Sequence, residues 1–167
     1  MNAVDLLAHI IREHAPEDIW QDSPLIGYRM LGNTNRGEIG ETFIRRYLEQ
    51  HGISVGNGKR TSRTDLRVES LLFEVKTASL GANQTFQFNH VRLDRGYDYL
   101  LCLGICPRQV VFNMWRKGAV AEYRAGTLVR MAEGQAVTYK LTKKLDDMVD
   151  IVALPSKVMS VLAGEHE

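Results

Sequence analysis

The chain has 167 residues, of which 44% are hydrophobic and 25% charged, the balance of an ordinary globular protein. Its net charge of +1 and sequence pI near 7.8 neither require nor exclude a nucleic-acid partner. No apolar run reaches the roughly 18 residues of a membrane-spanning helix, and the N-terminus lacks the basic start and apolar stretch of a signal peptide, so we expect a cytoplasmic protein. Because repeats, low-complexity tracts and linkers are absent, a single domain over residues 1–167 is predicted.

The beginning of the chain predicts two helices. Residues 2–14 place apolar side chains at helical spacing, and Pro16 ends that pattern. Residues 17–35 indicate a loop or a short helix. The pattern is again helical from Gly37 to Gln50, and Gly52 follows as a stop signal. The apolar face of this second helix consists of Ile39, Phe43, Ile44, Tyr47 and Leu48.

Strand patterns dominate the middle of the chain. Residues 53–55, TDLRV and LLFEVKTA each predict an extended segment, and the continuous apolar run of residues 97–105 predicts a buried strand. VVFNMW, at residues 110–115, predicts a further strand. Residues 86–93 indicate a short helix, and residues 138–163 an amphipathic helix or two short ones. This order predicts an α/β fold in which helices flank a central mixed sheet.

Two cysteines lie in the apolar run YLLCLGIC. Their spacing of four residues would suit two metal ligands, but the sequence offers no matching Cys or His pair. We therefore expect Cys102 and Cys106 to be small apolar side chains of a core strand.

The segments TDLRV and LLFEVKTA are separated only by Glu69 and Ser70, which suggests a hairpin with a two-residue turn. In that register Asp65 faces Glu74, and directly opposed residues project from the same face about 5 Å apart. Lys76 lies two residues beyond Glu74 and therefore shares that face. The opposite face is apolar and consists of Leu66, Val68, Phe73 and Val75. A slip of one residue would destroy this separation, and Glu-Ser is not a favoured turn pair.

Two carboxylates and a lysine at this spacing suit the hydrolysis of a phosphodiester. Adjacent carboxylates repel one another unless a cation lies between them, and Mg²⁺ binds to carboxylates, water and phosphate oxygens. A neighbouring lysine can orient the attacking water or stabilise charge that develops on the phosphate. The alternative is an ordinary surface ion pair of Lys76 with Glu74 or Asp65.

A basic segment, KRTSRTDLR, surrounds Asp65. Lys59, Arg60, Arg63 and Arg67 are candidates for contacts with a phosphate backbone, because clustered basic side chains bind nucleic acid even in a nearly neutral protein. The alternative is a solvated basic loop.

The hairpin segments together resemble the core signature of the PD-(D/E)XK nucleases, the restriction-endonuclease-like superfamily. In that family an acidic residue ends one strand and (D/E)-x-K follows in the next; here Thr64 stands where many members have a proline. The family core runs αβββαβ, and the resemblance covers about residues 36–116. The N-terminal helix at residues 2–14 and residues 118–167 are additions without a recognisable motif.

The resemblance also implies a third acidic residue. In several branches, notably archaeal-type Holliday junction resolvases, the preceding helix opens with a glycine and carries an acidic residue four positions later, as Gly37 and Glu41 do in RGEIGETFIRRYLEQHG. Glu38 is the competing candidate, but it lies almost opposite the apolar face of the helix, whereas Glu41 lies at its border. The metal ligands implied are Asp65, Glu74, Glu41 and the carbonyl of Val75.

The segment after Lys76 resembles that of small bacterial restriction-type nucleases, in which a second helix presents polar residues to the substrate. The resemblance implies contacts from Gln87, Asn89 and Arg92 to phosphate oxygens or base edges. Phe86 and Phe88 would stack on a base or, as is commoner, belong to the core. His90 is either a proton shuttle or a structural residue.

We therefore expect a Mg²⁺-dependent endonuclease that acts on double-stranded DNA, most like a type II restriction enzyme, with Mn²⁺ as an alternative metal. A homodimer is expected because one site must pair with another to cut both strands. The alternatives are a structure-specific repair or junction nuclease, a ribonuclease of the same fold, and a non-catalytic nucleic-acid-binding module.

Overall fold

A computed structural model describes residues 1–15, 17–57, 65–131 and 134–165, with only the backbone of Asp65. The α-helices within these ranges are α1 (Ala3–His14), α2 (Asn33–Gln50), α3 (Lys117–Ala121) and α4 (Leu154–Leu162). Short 3₁₀ turns lie at Ile26–Met30, Leu145–Asp147 and Ile151–Ala153. None of the described helices is both long and apolar enough to cross a membrane.

The described strands form two sheets. The strands are β1 (Gly56–Asn57), β2 (Asp65–Val68), β3 (Leu71–Ser79), β4 (Thr85–Val91), β5 (Tyr99–Ile105), β6 (Val110–Arg116), β7 (Leu128–Met131), β8 (Thr138–Lys144) and β9 (Val149–Asp150). Within the described ranges, a mixed sheet has the order β1-β2-β3-β5-β6-β9, and only its β3–β5 pair is parallel. A separate antiparallel sheet has the order β4-β8-β7.

Helices α2 and α4 cover one face of the mixed sheet. Ile44 and Leu48 of α2 pack with Leu154 and Val158 of α4 in a core that also contains inward-facing residues of β2, β3, β5 and β6. Alternation along β3 sends Phe73 and Val75 to this side, as period-2 geometry requires. The helical layer therefore rests on the apolar face of the predicted hairpin.

The three-stranded sheet covers the opposite face. Phe86 and Phe88 of β4 are fully buried and stack at 5.9 Å between ring centroids, in a core that also contains Leu100 and Cys102. Gly104 permits this approach, because a Cβ at that position would lie 2.7 Å from the Phe86 ring. The architecture is therefore a helical layer, a mixed sheet and a smaller antiparallel sheet.

Several predicted elements are confirmed. Helices occupy the two expected N-terminal regions, strands follow at β2, β3, β5 and β6, and the general class is α/β with a mixed sheet. Cys102 and Cys106 are buried free thiols, as expected for core side chains.

The helix predicted at residues 86–93 is wrong. This segment is strand β4, in which Phe86 and Phe88 point inward while Gln87 and Asn89 are exposed. The period of burial is two rather than 3.6, and β4 satisfies its backbone by pairing with β8, more than fifty residues away. The connection from β3 to the parallel strand β5 thus runs through a strand, so the second helix of the αβββαβ order is missing from the described segment.

Two further expectations need correction. Residues 138–144, expected in a helix, form β8, and only Leu154–Leu162 of that region is an α-helix. Leu141 is fully buried, and it pairs with Phe88 of β4 on one side and Leu128 of β7 on the other. This strand pairing, and not the helical spacing of the apolar residues, determines the local structure. Residues 53–55 are not in a strand, although Ile53 and Val55 are buried; the strand lies at Gly56–Asn57.

Candidate active site

An open cleft of about 550 Å³ lies where α2, β3 and β4 meet. Helix α2 contributes Glu38 and Glu41, β3 contributes Lys76, and β4 contributes Gln87 and Asn89. The structure therefore brings together candidates that lie up to fifty residues apart in the sequence.

The hairpin adopts the predicted register. Asp65 pairs with Glu74 across β2 and β3, and Val68 pairs with Leu71, so Glu69 and Ser70 form the turn. Glu69 accommodates this turn with a φ of 52°, in the left-handed region that few side chains favour. The backbone thus places residues 65, 74 and 76 on one face, while the side chain of Asp65 lies outside the described part.

Glu74 is a fully buried carboxylate that contacts two cations. Its Oε1 atom lies 3.4 Å from Lys76 Nζ and 3.3 Å from Arg95 NH1. A charge removed from water requires such partners, because desolvation costs several kcal/mol per ion. Glu74 does not itself line the cleft; the neighbouring Lys76, with 16% of its side chain exposed, does.

Glu41 faces the same cleft from α2. Burial raises the pKa of its carboxyl group, and the negative charges of Glu38 and Glu74 raise it further, although Arg45 opposes this shift. Arg45 NH2 lies 3.8 Å from Glu41 Oε1 and is held by Asn57 at 2.8 Å. Burial is the largest cause of this shift, and the charge of Glu74 is the smallest.

The approach of α2 to β3 depends on Gly40. A Cβ at this position would lie 1.8 Å from Thr77 Oγ1, so any larger residue would push the helix away from the strand. The absence of a side chain next to Glu41 therefore allows that carboxylate to reach the end of β3.

Strand β4 forms the polar wall of the cleft. Gln87 and Asn89 are exposed and line it, together with Asn83 from the preceding turn. His90 also lines the cleft, with a φ of 59° and its Nδ1 atom 3.4 Å from Thr138 Oγ1. The wall therefore presents the amide donors and acceptors of Gln87 and Asn89 to the cleft that Lys76 also lines. Because Phe86 and Phe88 are fully buried, they belong to the core and cannot stack on a base.

Among the basic residues predicted to contact phosphate, the structure describes Arg67 and Arg92. Arg67 is exposed on β2, and Arg92 is held by Asp94 through two bonds of 2.8 and 2.6 Å that lower the pKa of Asp94 to about 2. Neither residue lines the cleft. Lys59, Arg60 and Arg63 lie outside the described residues.

Two cationic residues of the site were not predicted from the sequence. Arg95 contacts Glu74 from the loop before β5, and its carbonyl accepts a hydrogen bond from Lys117 Nζ. Arg36 lines the cleft, with its guanidinium 5.4 Å from the centroid of the Tyr28 ring. No sequence motif indicated Arg95. Arg36 could have been found, because it immediately precedes Gly37, the glycine of the family motif in α2.

The described side chains do not form a complete metal site. Among them, no three His, Cys, Asp or Glu side chains lie close enough together to bind one ion. The oxygen donors at or near the cleft include the carboxylates of Glu38, Glu41 and Glu74 and the backbone of Val75. Cys102 and Cys106 do not contribute, because burial raises the pKa of both thiols, that of Cys106 to about 11.

Neither the family models nor the curated proteins with which the chain was compared match it. The functional conclusion therefore depends on the geometry of the cleft and on the residues that form it.

Proposed function

We propose that the chain is a metal-dependent endonuclease that hydrolyses phosphodiester bonds in DNA, with a variant of the restriction-endonuclease-like core. The observation that carries the proposal is the pairing of Asp65 with Glu74 across the hairpin. Lys76, two residues beyond Glu74, lines the cleft together with Glu41. The strand β4 replaces a helix of the family order, so the proposed core departs from the family at that element.

The donor chemistry suits a hard divalent cation such as Mg²⁺ or Mn²⁺. Asp65, Glu74, Glu41 and the Val75 carbonyl would supply oxygen ligands only, as such cations prefer. Burial and neighbouring negative charges raise the pKa of Glu41, so they disfavour its ionised form. A bound cation would offset both effects, which supports this assignment. A cation held by these residues would supply Lewis-acid chemistry at the scissile phosphate.

The residues of the chain supply positioning and charge. Lys76 Nζ, at the cleft surface, donates to the attacking water or to a phosphate oxygen and stabilises the negative charge that develops there. Arg95 contacts the buried carboxylate of Glu74 and keeps 37% of its own side chain exposed, where it could meet a phosphate. Glu41 completes the acidic site from helix α2.

The polar wall supports DNA as the substrate. Amide side chains such as Gln87 and Asn89 can make paired hydrogen bonds with adenine, and they lie across the cleft from Lys76. A sequence-reading surface beside a hydrolytic site is the combination that a type II restriction-type enzyme requires. Two such sites must act together for double-strand cleavage, so the proposed form is a homodimer.

Plasmid cleavage with Mg²⁺ tests this proposal. Wild type is compared with Lys76→Met and Glu74→Gln, which keep the shape of the side chains, and with Lys140→Met of β8, a lysine that does not line the cleft. We expect discrete fragments from wild type and Lys140→Met, and at least about 100-fold less cleavage from the two site variants and in EDTA.

The same variants separate the alternatives. If wild type leaves duplex DNA intact but cuts branched DNA or RNA in a Lys76-dependent way, the chemistry is retained and the substrate assignment is wrong. If it cuts nothing yet binds DNA with an affinity that falls steeply with salt, the chain is a non-catalytic binding module.

A further inference from the structure

Helix α1 presents an apolar face that nothing in the described chain covers. The helix has no buried residue, and Val4, Leu7 and Ile11 are 77%, 58% and 55% exposed. Asn2 caps it by accepting a hydrogen bond from the Asp5 amide at 2.9 Å. A helix of about 12 residues is only marginally stable in water, so its apolar face is expected to pack against a partner.

The outer face of α2 carries a matching apolar groove of about 700 Å³. Its floor consists of Leu31, Ile39, Phe43 and Tyr47, with the last two rings stacked at 5.5 Å. Ile39 is 42% exposed, although it stands in the row of apolar residues that the helical pattern predicts as buried. We call this surface the α2 groove.

The charges beside the two surfaces are complementary. Asp5 and Arg12 lie along one border of the α1 apolar face, two helical turns and about 10 Å apart. Glu38 and Arg46 line the α2 groove and lie about 12 Å apart along α2. An antiparallel arrangement of the two helices therefore brings Asp5 near Arg46 and Arg12 near Glu38.

The position of α1 within one chain favours a second copy as the source of the docked helix. No residue of α1 is buried, and none lines the α2 groove of its own chain. The apolar face of α1 and the α2 groove are therefore both open to a second copy. A reciprocal exchange would bury two helices and two grooves, which suits the area of at least about 1,000 Å² that specific interfaces need.

We propose that α1 of one copy docks antiparallel into the α2 groove of a second copy, and that the reciprocal contact forms a twofold homodimer. This inference does not rest on nuclease activity, since it follows from the two apolar surfaces and their charges. Glu38 lines both the α2 groove and the cleft, so each docked helix would lie beside the partner's cleft.

Sedimentation equilibrium of the full chain tests the dimer. Ile11→Glu and Ile39→Glu each place a charge in the proposed contact, while His9→Glu places the same charge on the polar face of α1. We expect wild type and His9→Glu to be dimers at about 10 µM, and both isoleucine variants to dissociate at least about 100-fold more readily. Circular dichroism establishes that each variant remains folded, which the exposure of Ile11 and Ile39 favours. A monomeric wild type, or dimers that survive both substitutions, would overturn the proposal.

Disulfide trapping identifies the partner surface. Single variants Ile11→Cys and Ile39→Cys, which face one another in this antiparallel register, are mixed and oxidised; the buried Cys102 and Cys106 are poor competitors because their thiols are inaccessible. We expect a mixed disulfide dimer of the two variants. If Ile11→Cys instead links to itself alone, or a double variant closes within one chain at high dilution, α1 does not dock into a second copy's groove.

Discussion

The two walls of the cleft are held in place by different forces. On the β3 wall, Glu74 is buried between Lys76 and Arg95, and its position depends on balanced charge. On the β4 wall, Gln87 and Asn89 are exposed and neutral, and their position depends on the aromatic residues that alternate with them. The chemical wall is thus sensitive to changes in charge, whereas the polar wall is sensitive to changes in packing.

The largest effect is expected from Phe88→Ala. This fully buried ring anchors β4 to the mixed sheet, and its removal leaves a cavity that costs about 3–5 kcal/mol. Urea unfolding measures the loss. The neighbouring exposed Asn89→Ala serves as the control and should change stability by less than about 1 kcal/mol. If the two variants lose similar amounts of unfolding free energy, packing of the aromatic residues does not determine the position of the polar wall.

Glu74→Ala should be the most damaging change on the chemical wall. It leaves Lys76 and Arg95 without the carboxylate that both contact, and because these cations keep 16% and 37% of their side chains exposed to water, the expected cost is about 1–3 kcal/mol. Glu74→Gln preserves the shape of the side chain and one acceptor oxygen and should cost less. A thermal unfolding temperature for Glu74→Ala within about 2 °C of wild type would contradict this account.

Glu41→Gln should stabilise the protein slightly at neutral pH, by less than about 1 kcal/mol. In the folded state the pKa of Glu41 is raised above its ordinary 4.5, so folding favours the protonated carboxyl group. The resulting contribution to the free energy of unfolding is complete below pH 4.5 and is lost as the pH rises through the folded pKa. Thermal unfolding in metal-free buffer from pH 4 to 8 measures the difference from wild type. We expect that difference to be small below pH 4.5, to grow as pH rises through the folded pKa and then to level off; a constant offset at every pH would exclude ionisation as its cause.

The smallest effect concerns the hairpin turn. Glu69→Gly removes the strain of a φ of 52° but adds entropy to the unfolded chain, so the net gain should be about 0.5 kcal/mol. Glu69→Gln, which keeps the strain and removes the charge, is the control for urea unfolding. If Glu69→Gln stabilises the protein as much as Glu69→Gly does, loss of the charge and not relief of strain is the cause.

Most of the charged wall could be predicted from the sequence because its geometry is local. Two residues separate β2 from β3, and alternation then assigns every side chain of the hairpin to one face. Arg95 could not be predicted, since its contact with Glu74 depends on the path of the loop between β4 and β5.

The polar wall was predicted in composition but not in structure. The sequence FQFN alternates with a period of two, yet a strand needs a partner, and the partner β8 lies in a region whose own spacing suggested a helix. Both errors have the same origin, because each strand is stable only when paired with the other.

By itself, the sequence determined the α/β class, the hairpin register, the helix α2 and the proximity of positions 65, 74 and 76. These follow from short-range geometry and the burial of apolar side chains. Only the tertiary structure decided the second sheet, the burial of Glu74 between two cations and the exposed face of α1. Those features depend on which distant surfaces meet, and no short stretch of sequence encodes that meeting.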